Sequence, residues 1–320
     1  MVSRPHSARV SVPATSANFG PGFDAIGVAL DLRGEIELSL ADPAPASRSA
    51  HPEPVVSQPA HPEPVEGGAA TADRGRRMVF QAVERVFRHI GQPVPLVQIG
   101  FHSDVPVARG LGASAILRVG AALAASALAG VPEDREWMLQ LAAELEGHAD
   151  NAAPALFGGM QVVVTQETHV LHVNVPLPAH LRAALFVPDF EMSTDEGRRL
   201  LPASLSRADA VHNSSRAALL VAGLATGRLD VLKTATDDRL HQPARSKLFP
   251  AMYDIFRAAT DTGALCAFLS GGGSSILAVA EAHEAEVAEA MASCASAVGV
   301  AGRTHVTGFS QRGAEIVSLD

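Results

Sequence analysis

The stretch that most restricts what this chain can fold into is Asp104 to Leu117, D-V-P-V-A-R-G-L-G-A-S-A-I-L. A proline-containing, strand-like approach gives way to a small Gly-rich turn, and an almost unbroken run of Ala, Leu and Val continues to Val131. The turn therefore stands at the N-terminus of a long helix. There the first backbone N–H groups lack internal partners and the macrodipole adds partial positive charge, so the position suits an anion. Gly110 and Gly112 let the backbone approach a phosphate without Cβ interference, and Ser114 places beside it a hydroxyl that could hold a metal ion. The plain alternative is that the two glycines only make a tight strand-to-helix turn.

Two familiar phosphate loops can be tested against it. A Walker A loop needs Lys and Ser/Thr after its last Gly, and no G-K-S/T triplet occurs in the chain. Gly110, Gly112 and Ala115 formally fit G-x-G-x-x-A, but the approach carries Ser103, Asp104, Pro106 and Arg109 instead of a buried apolar strand, and the next acidic residue is Glu133. A dinucleotide fingerprint is disfavoured on both counts.

At 320 residues the chain is long for one domain, and two lobes are the expectation. Its content is 47% hydrophobic but only 4% aromatic, so Ala, Val and Leu must pack the core, which favours close helix–sheet packing of α/β or α+β type. Lys and Arg total 25 against 34 Asp and Glu, giving a formal charge of −9, and this argues against general binding of nucleic acid or anionic membrane. Cys266 and Cys294 form no C-x-x-C and lie among small apolar residues, as buried thiols in a reducing compartment would. No signal-peptide core opens the chain, and its longest apolar run, Val119 to Val131, is 13 residues, too short for a bilayer. A cytoplasmic protein is expected.

Along the chain, Arg9 to Ala14 alternates like a strand. Residues 13 to 30 then hold Gly20, Pro21, Gly22 and Gly27 with Asn18 and Asp24 between them, either an elaborate hairpin loop or a pocket lining. After a strand to Leu40, the segment 41–74 carries H-P-E-P-V twice, at 51–55 and 61–65, within Pro-, Ala- and Ser-rich surroundings, and reads as an extended insertion. Helical spacing marks Met78 to Ile90, and a strand is expected at Val94 to Phe101. A further helix runs from Pro132 to about Glu146.

Next comes E-L-E-G-H-A-D-N-A-A-P-A-L-F-G-G, 144–159, which crowds Glu144, Glu146, His148, Asp150 and Asn151 together. Carboxylate and hydroxyl oxygens suit a hard cation such as Mg²⁺, while Asn151 also fits a helix N-cap. In the second half, Ser193 or Thr194 should cap a short helix bearing Arg198 and Arg199, whose place near a helix start is unfavourable for the dipole and hints at a bound anion or an acid partner, with one of the two solvated. Prolines bracket Arg245 and Lys247 in H-Q-P-A-R-S-K-L-F-P, 241–250, and an apolar strand ending at Leu269 breaks into S-G-G-G-S-S, 270–275.

Three Gly-rich segments, at 13–30, 110–115 and 270–275, thus follow one another in an acidic two-lobed chain, and together they resemble the three motifs of the GHMP kinases. P-A-T-S-A-N-F-G-P-G-F-D, A-R-G-L-G-A-S-A, E-G-H-A-D-N-A-A-P-A-L-F-G-G and H-Q-P-A-R-S-K-L-F-P are similar to the homoserine kinase branch. The resemblance implies a two-lobed α+β fold, with a lobe like domain 2 of ribosomal protein S5 over residues 1–160 and a ferredoxin-like lobe over 161–320. It implies ATP and Mg²⁺ as cofactors and L-homoserine as the phosphoryl acceptor. Pro106, Arg109, Gly110, Leu111, Gly112, Ala113, Ser114 and Ala115, with Gly271 and Gly272, would hold ATP. Ser114 and Glu146 would hold the metal, with Glu144 in reserve.

By the same resemblance, Arg198 and Arg245 would clamp the amino-acid carboxylate, with Thr194 alongside. Asn18 and Asp24 would face the amino group, while His148 and Asn151 lie near the reacting hydroxyl. Asn151 stands where mevalonate kinase-type relatives place a basic Asp, and an amide cannot act as a general base. The chain departs from the family pattern at Ala113, Gly272, Ser274, Gln242 and Arg77. Competing functions are a kinase for another small alcohol, a silent GHMP-like binding protein, and an NAD-binding oxidoreductase using 110–115. A homodimer is compatible with all of these.

Overall fold

The structure is a computed structural model that describes residues 5–41, 69–103, 105–106, 109–167 and 169–320. Its strands are β1 (Ser7–Ala17), β2 (Ile26–Leu40), β3 (Val97–Ser103), β4 (Met160–Gln166), β5 (His169–Val175), β6 (Arg182–Pro188), β7 (Cys266–Leu269), β8 (Ile276–Ala280), β9 (Gly302–Gly308) and β10 (Glu315–Leu319). The helices are α1 (Ala69–His89), α2 (Ala113–Ala129), α3 (Arg135–Glu146), α4 (Ala152–Phe157), α5 (Thr194–Arg199), α6 (Arg207–Thr226), α7 (Leu232–Ala235), α8 (Gln242–Arg245), α9 (Met252–Asp261) and α10 (Glu284–Ala297). Every strand pair among the described residues is antiparallel, so the fold is α+β. The dinucleotide alternative loses its structural basis, because a Rossmann site needs parallel βαβ units.

The first sheet runs β10-β1-β2-β4-β5, with β3 also on β2. The long β2 serves two partners: Gly34 to Leu40 pair with β3, and Ile26 to Val28 pair with β4. Helix α2 lies against this sheet so closely that a Cβ on Gly120 would stand 2.6 Å from Ile36. Its Ala-rich sequence combines high helix propensity with the small cross-section such an approach demands. Gly130 ends it in the left-handed conformation, its N–H returning to Ala127 and Ser126 carbonyls. Helix α3 starts later than Pro132, because Asp134 is its N-cap and accepts from the Trp137 N–H.

The second sheet, β7-β8-β6-β9, has the strand order of a ferredoxin-like lobe. Both its faces are buried along β6, β7 and β8, whereas β9 is largely exposed. Leu185, Phe268, Leu277 and Val279 join the core of the first lobe, whereas Phe186, Leu269, Ile276 and Ala278 pack with residues of α9 and α10. Burial on both faces explains why β6, β7 and β8 read as continuous apolar runs, and exposure why β9, G-R-T-H-V-T-G, does not.

Several boundaries differ from expectation. Residues 160–175 and 315–319 belong to the first sheet, with Ile26 opposite Val162 and Ala8 opposite Leu319, so a division after residue 160 cuts across one ladder. The first Gly-rich segment contributes strand as far as Ala17, and the turn proper is 18–25. Both H-P-E-P-V copies lie outside the described residues, and 69–74 of the expected insertion are already in α1. Cys294 is only partly buried, unlike Cys266. No helix among the described residues is long and apolar enough to cross a membrane.

Candidate active site

The three Gly-rich segments meet at the N-terminus of α2 and are tied together by backbone. Thr15 N–H donates to the Leu111 carbonyl (3.2 Å), Gly271 N–H to Ala17 (2.9 Å) and Ser275 N–H to Arg109 (3.0 Å). Ser270 Oγ donates to the Gly110 carbonyl (2.7 Å) and is hydrogen-bonded to Ser16 Oγ (2.8 Å). Gly112 is the N-cap of α2 at φ 73°, and no side chain caps the helix, which leaves its first N–H groups for a ligand. A Cβ there would fall 1.9 Å from Thr15 Oγ1 and 3.2 Å from Asn151 Oδ1, so only glycine fits. Ala113 and Ser114 are partly exposed in the first turn, while Leu111 and Ala115 anchor it in the core.

Arg109, expected at the nucleotide, has its side chain engaged from the second lobe. Its guanidinium donates to the Pro188 and Asp189 carbonyls (3.0 and 2.8 Å) and pairs with Glu191, so it ties the loop to the second lobe. Pro106 is half-buried. Gly271 and Gly272 close the other side, a Cβ on Gly272 lying 3.3 Å from Thr194 Oγ1.

Beside this turn lies a polar pocket. Asn18 (φ 57°) accepts the Asp24 N–H on Oδ1 at 2.9 Å, so its buried side chain shapes the turn. The Asp24 carboxylate receives Arg198 in a bidentate pair at 2.6 and 2.9 Å, and this bond raises the Arg198 pKa. Arg198 and Arg199 occupy the last turn of α5, which Ser193 caps, so they suit the helix dipole; Arg199 is exposed.

Arg245 is only 1% exposed, yet among the described residues no carboxylate lies within ion-pair distance of it. Its partners are His241 Nδ1 (2.7 Å) and the Gly271 carbonyl (3.4 Å), and Nε has none. Burial, aided by the charge of Arg198, pushes its pKa down to about 10. Phe23 lies beneath both guanidiniums, 5.2 Å from Arg198 and 5.4 Å from Arg245.

The crowded segment after α3 separates into distinct roles. Glu144 is on the surface, bonded to Arg85 and Gln140, and the Arg85 bond lowers its pKa. The Glu146 side chain is only 2% exposed, with Oε1 accepting from Arg118 Nη1 (2.9 Å) and Oε2 left without a hydrogen-bond partner. His148 Nδ1 lies 2.7 Å from buried Asp150. Burial lowers the His148 pKa, but the Asp150 bond with the charges of Asp150, Glu146 and Asp24 outweighs it, so the net shift is upward. Asp24, His148 and Asp150 bring ligand atoms within 4.8 Å of one another. Asn151 is the N-cap residue of α4, as its position suggests, but its side chain makes no capping bond, since Oδ1 accepts from Thr15 Oγ1 (2.7 Å).

Asn18, Asp24, Arg198, Arg245, Asn151 and the Gly110–Gly112 turn are thus brought together with Gly271 and Gly272, and the Arg109 backbone is tied to the third loop through Ser275. Four further contributors, Thr15, Phe23, His241 and Ser270, lie inside the quoted motifs without a residue type that marks them out there. An apolar pocket lined by Phe190, Leu248, Phe249, Val298 and Val300 shares no residue with this site.

Residues 77–159 match the family described as GHMP kinases N terminal domain, and residues 220–297 match GHMP kinases C terminal. The chain is 36% identical over 310 residues to a homoserine kinase of Desulfitobacterium hafniense, covering 97% of this chain and 99% of that one. It is 39% identical over 321 residues to a homoserine kinase of a Picosynechococcus species, covering 97% and 99%. Among solved structures, homoserine kinase from Cytophaga hutchinsonii superposes with a TM-score of 0.82 at 28% identity, covering 99% of each chain.

Proposed function

The chain belongs to the GHMP kinase family, and from that premise we propose that it transfers the γ-phosphoryl group of ATP to the side-chain hydroxyl of L-homoserine. The products are O-phospho-L-homoserine and ADP, and the reaction is a step of threonine biosynthesis. The observation that carries the substrate assignment is Arg245, a buried guanidinium with no carboxylate partner beside the Asp24–Arg198 pair. An amino-acid zwitterion complements this arrangement, its carboxylate meeting Arg245 and Arg198 and its ammonium meeting Asp24. Asn18 acts here by holding the Asp24 turn, and Thr194 stands at the rim.

Transfer breaks the bond from the γ-phosphorus to the ADP oxygen and forms one to the homoserine oxygen. The uncapped N-terminus of α2 supplies N–H groups and a positive dipole where charge develops. Asn151, its Oδ1 engaged by Thr15, offers Nδ2–H groups to orient the acceptor. The hydroxyl proton passes to phosphate or solvent, because an amide cannot accept it. The residues also fit a divalent cation: Ser114 lies in the phosphate turn, and the orphaned Glu146 Oε2 is a buried carboxylate oxygen lacking a donor. Mg²⁺ held there would offset triphosphate charge.

A coupled ADP-release assay across homoserine, mevalonate and galactose tests the assignment. Homoserine should be strongly preferred, and a clear preference for another acceptor overturns it.

A further inference from the structure

His241 lies between Arg245 and the first Gly-rich turn, entirely buried. The guanidinium can only donate, so the His241 Nδ1 at 2.7 Å must accept, and the imidazole proton resides on Nε2. That proton points at the Gly20 carbonyl 2.7 Å away. Only the neutral Nε2–H imidazole satisfies both contacts. Protonation would set N–H against N–H at Arg245. The charged groups facing the ring are Arg245, Asp238 of its own segment and Asp24 of the first turn. Asp238 Oδ2 approaches Nε2 to only 3.7 Å, and the carboxylate already accepts from Asn213 and the N–H groups of Leu240, His241 and Gln242. Phe23, whose ring centroid is 5.6 Å from that of His241, completes the enclosure.

We propose that His241 is the positioning residue of the carboxylate clamp, fixing the Arg245 guanidinium through Nδ1 and joining it to the first-motif turn through Nε2. The inference rests on the reading of Arg245 as a carboxylate-binding group. Its consequence is selective: loss of His241 weakens recognition of the α-carboxylate and leaves nucleotide binding alone. Burial lowers the His241 pKa, so the neutral form persists to below the ordinary histidine range, and the clamp weakens only in acid.

Steady-state kinetics with L-homoserine and L-homoserine amide, which keeps the amine and hydroxyl without the carboxylate, provide the test. H241L should raise the KM for homoserine roughly ten- to a hundredfold, the range for losing a hydrogen bond to a charged group. The KM for ATP should stay within about twofold, and the preference for homoserine over its amide should shrink by the same factor as the homoserine KM rises. H241N, whose Oδ1 falls near the former Nδ1, should recover most of the loss and remove the acid-side rise in homoserine KM. Equal losses on both substrates, or no recovery in H241N, would reduce His241 to a packing role and overturn the proposal. R245Q separates the two readings: if it leaves the preference for homoserine unchanged, the carboxylate clamp itself is wrong, and the inference falls with it.

Discussion

Asn151 is the residue at which the chemistry of transfer is most exposed to test. Thr15 fixes its amide from 136 positions away, so it can orient a hydroxyl but cannot take its proton. Asn151→Ala should therefore lower kcat while leaving measurable turnover, since positioning and charge stabilisation by the α2 N-terminus remain. Complete loss of turnover in a variant that still binds homoserine would contradict transfer without a base. His241 carries a pH prediction with a definite sign. Its folded pKa is depressed, so its contribution to stability is present above the unfolded value near 6.5 and is lost as pH falls through the folded one. Urea midpoints of the native protein and H241L, compared from pH 8 to 5, should converge toward the acid end; a constant gap would refute the buried neutral imidazole. Asp24 stands in a Gly-rich turn and prolines bracket Arg245, so both stand out in the sequence, whereas the clamp role of Arg198 and Arg245 comes from the family resemblance. His241 could not be read from the sequence, since its meaning comes from Gly20, 221 residues distant.

Among the elements, the phosphate turn owes its shape to neighbours as well as to its glycines. Ser270 holds the Gly110 carbonyl and touches Ser16, so one hydroxyl spans all three loops. Ser270→Ala should destabilise the protein by about 1–3 kcal/mol, the range for a buried acceptor losing its donor, and raise the KM for ATP more than that for homoserine. Thermal unfolding with parallel kinetics checks this, and an unaltered ATP KM would dissociate the hydroxyl from the turn. Helix α2 was legible because its composition and Gly-rich start coincide. β8 was not, because burial on both faces erases alternation and its five residues follow directly on the loop. Helix α9 has an apolar stripe in Met252, Ile255 and Ala259, but Ala251 before it makes no side-chain cap, so nothing marks its start. The return of β10 to β1 depends on a pairing between the two ends of the described chain, which no local pattern announces.

For the molecule as a whole, the second sheet is the shared wall of two cores. Phe268 reaches across from it to Phe19, ring centroids 4.2 Å apart. Phe268→Ala should cost about 3–5 kcal/mol, as for other buried aromatic truncations, and unfolding monitored by circular dichroism should remain one transition. Two separated transitions would mean that the lobes hold their cores independently. The thiols divide likewise: burial raises the Cys266 pKa to about 12, so a thiol reagent at pH 8 should label Cys294 in the native protein and Cys266 only after unfolding. Phe268 on Phe19, Arg109 on Pro188 and His241 on Gly20 each bolt one lobe to the other across the site itself. A jaw-like swing of rigid lobes would have to break all three at once. The radius of gyration from small-angle scattering should therefore stay the same when nucleotide and amino acid are added.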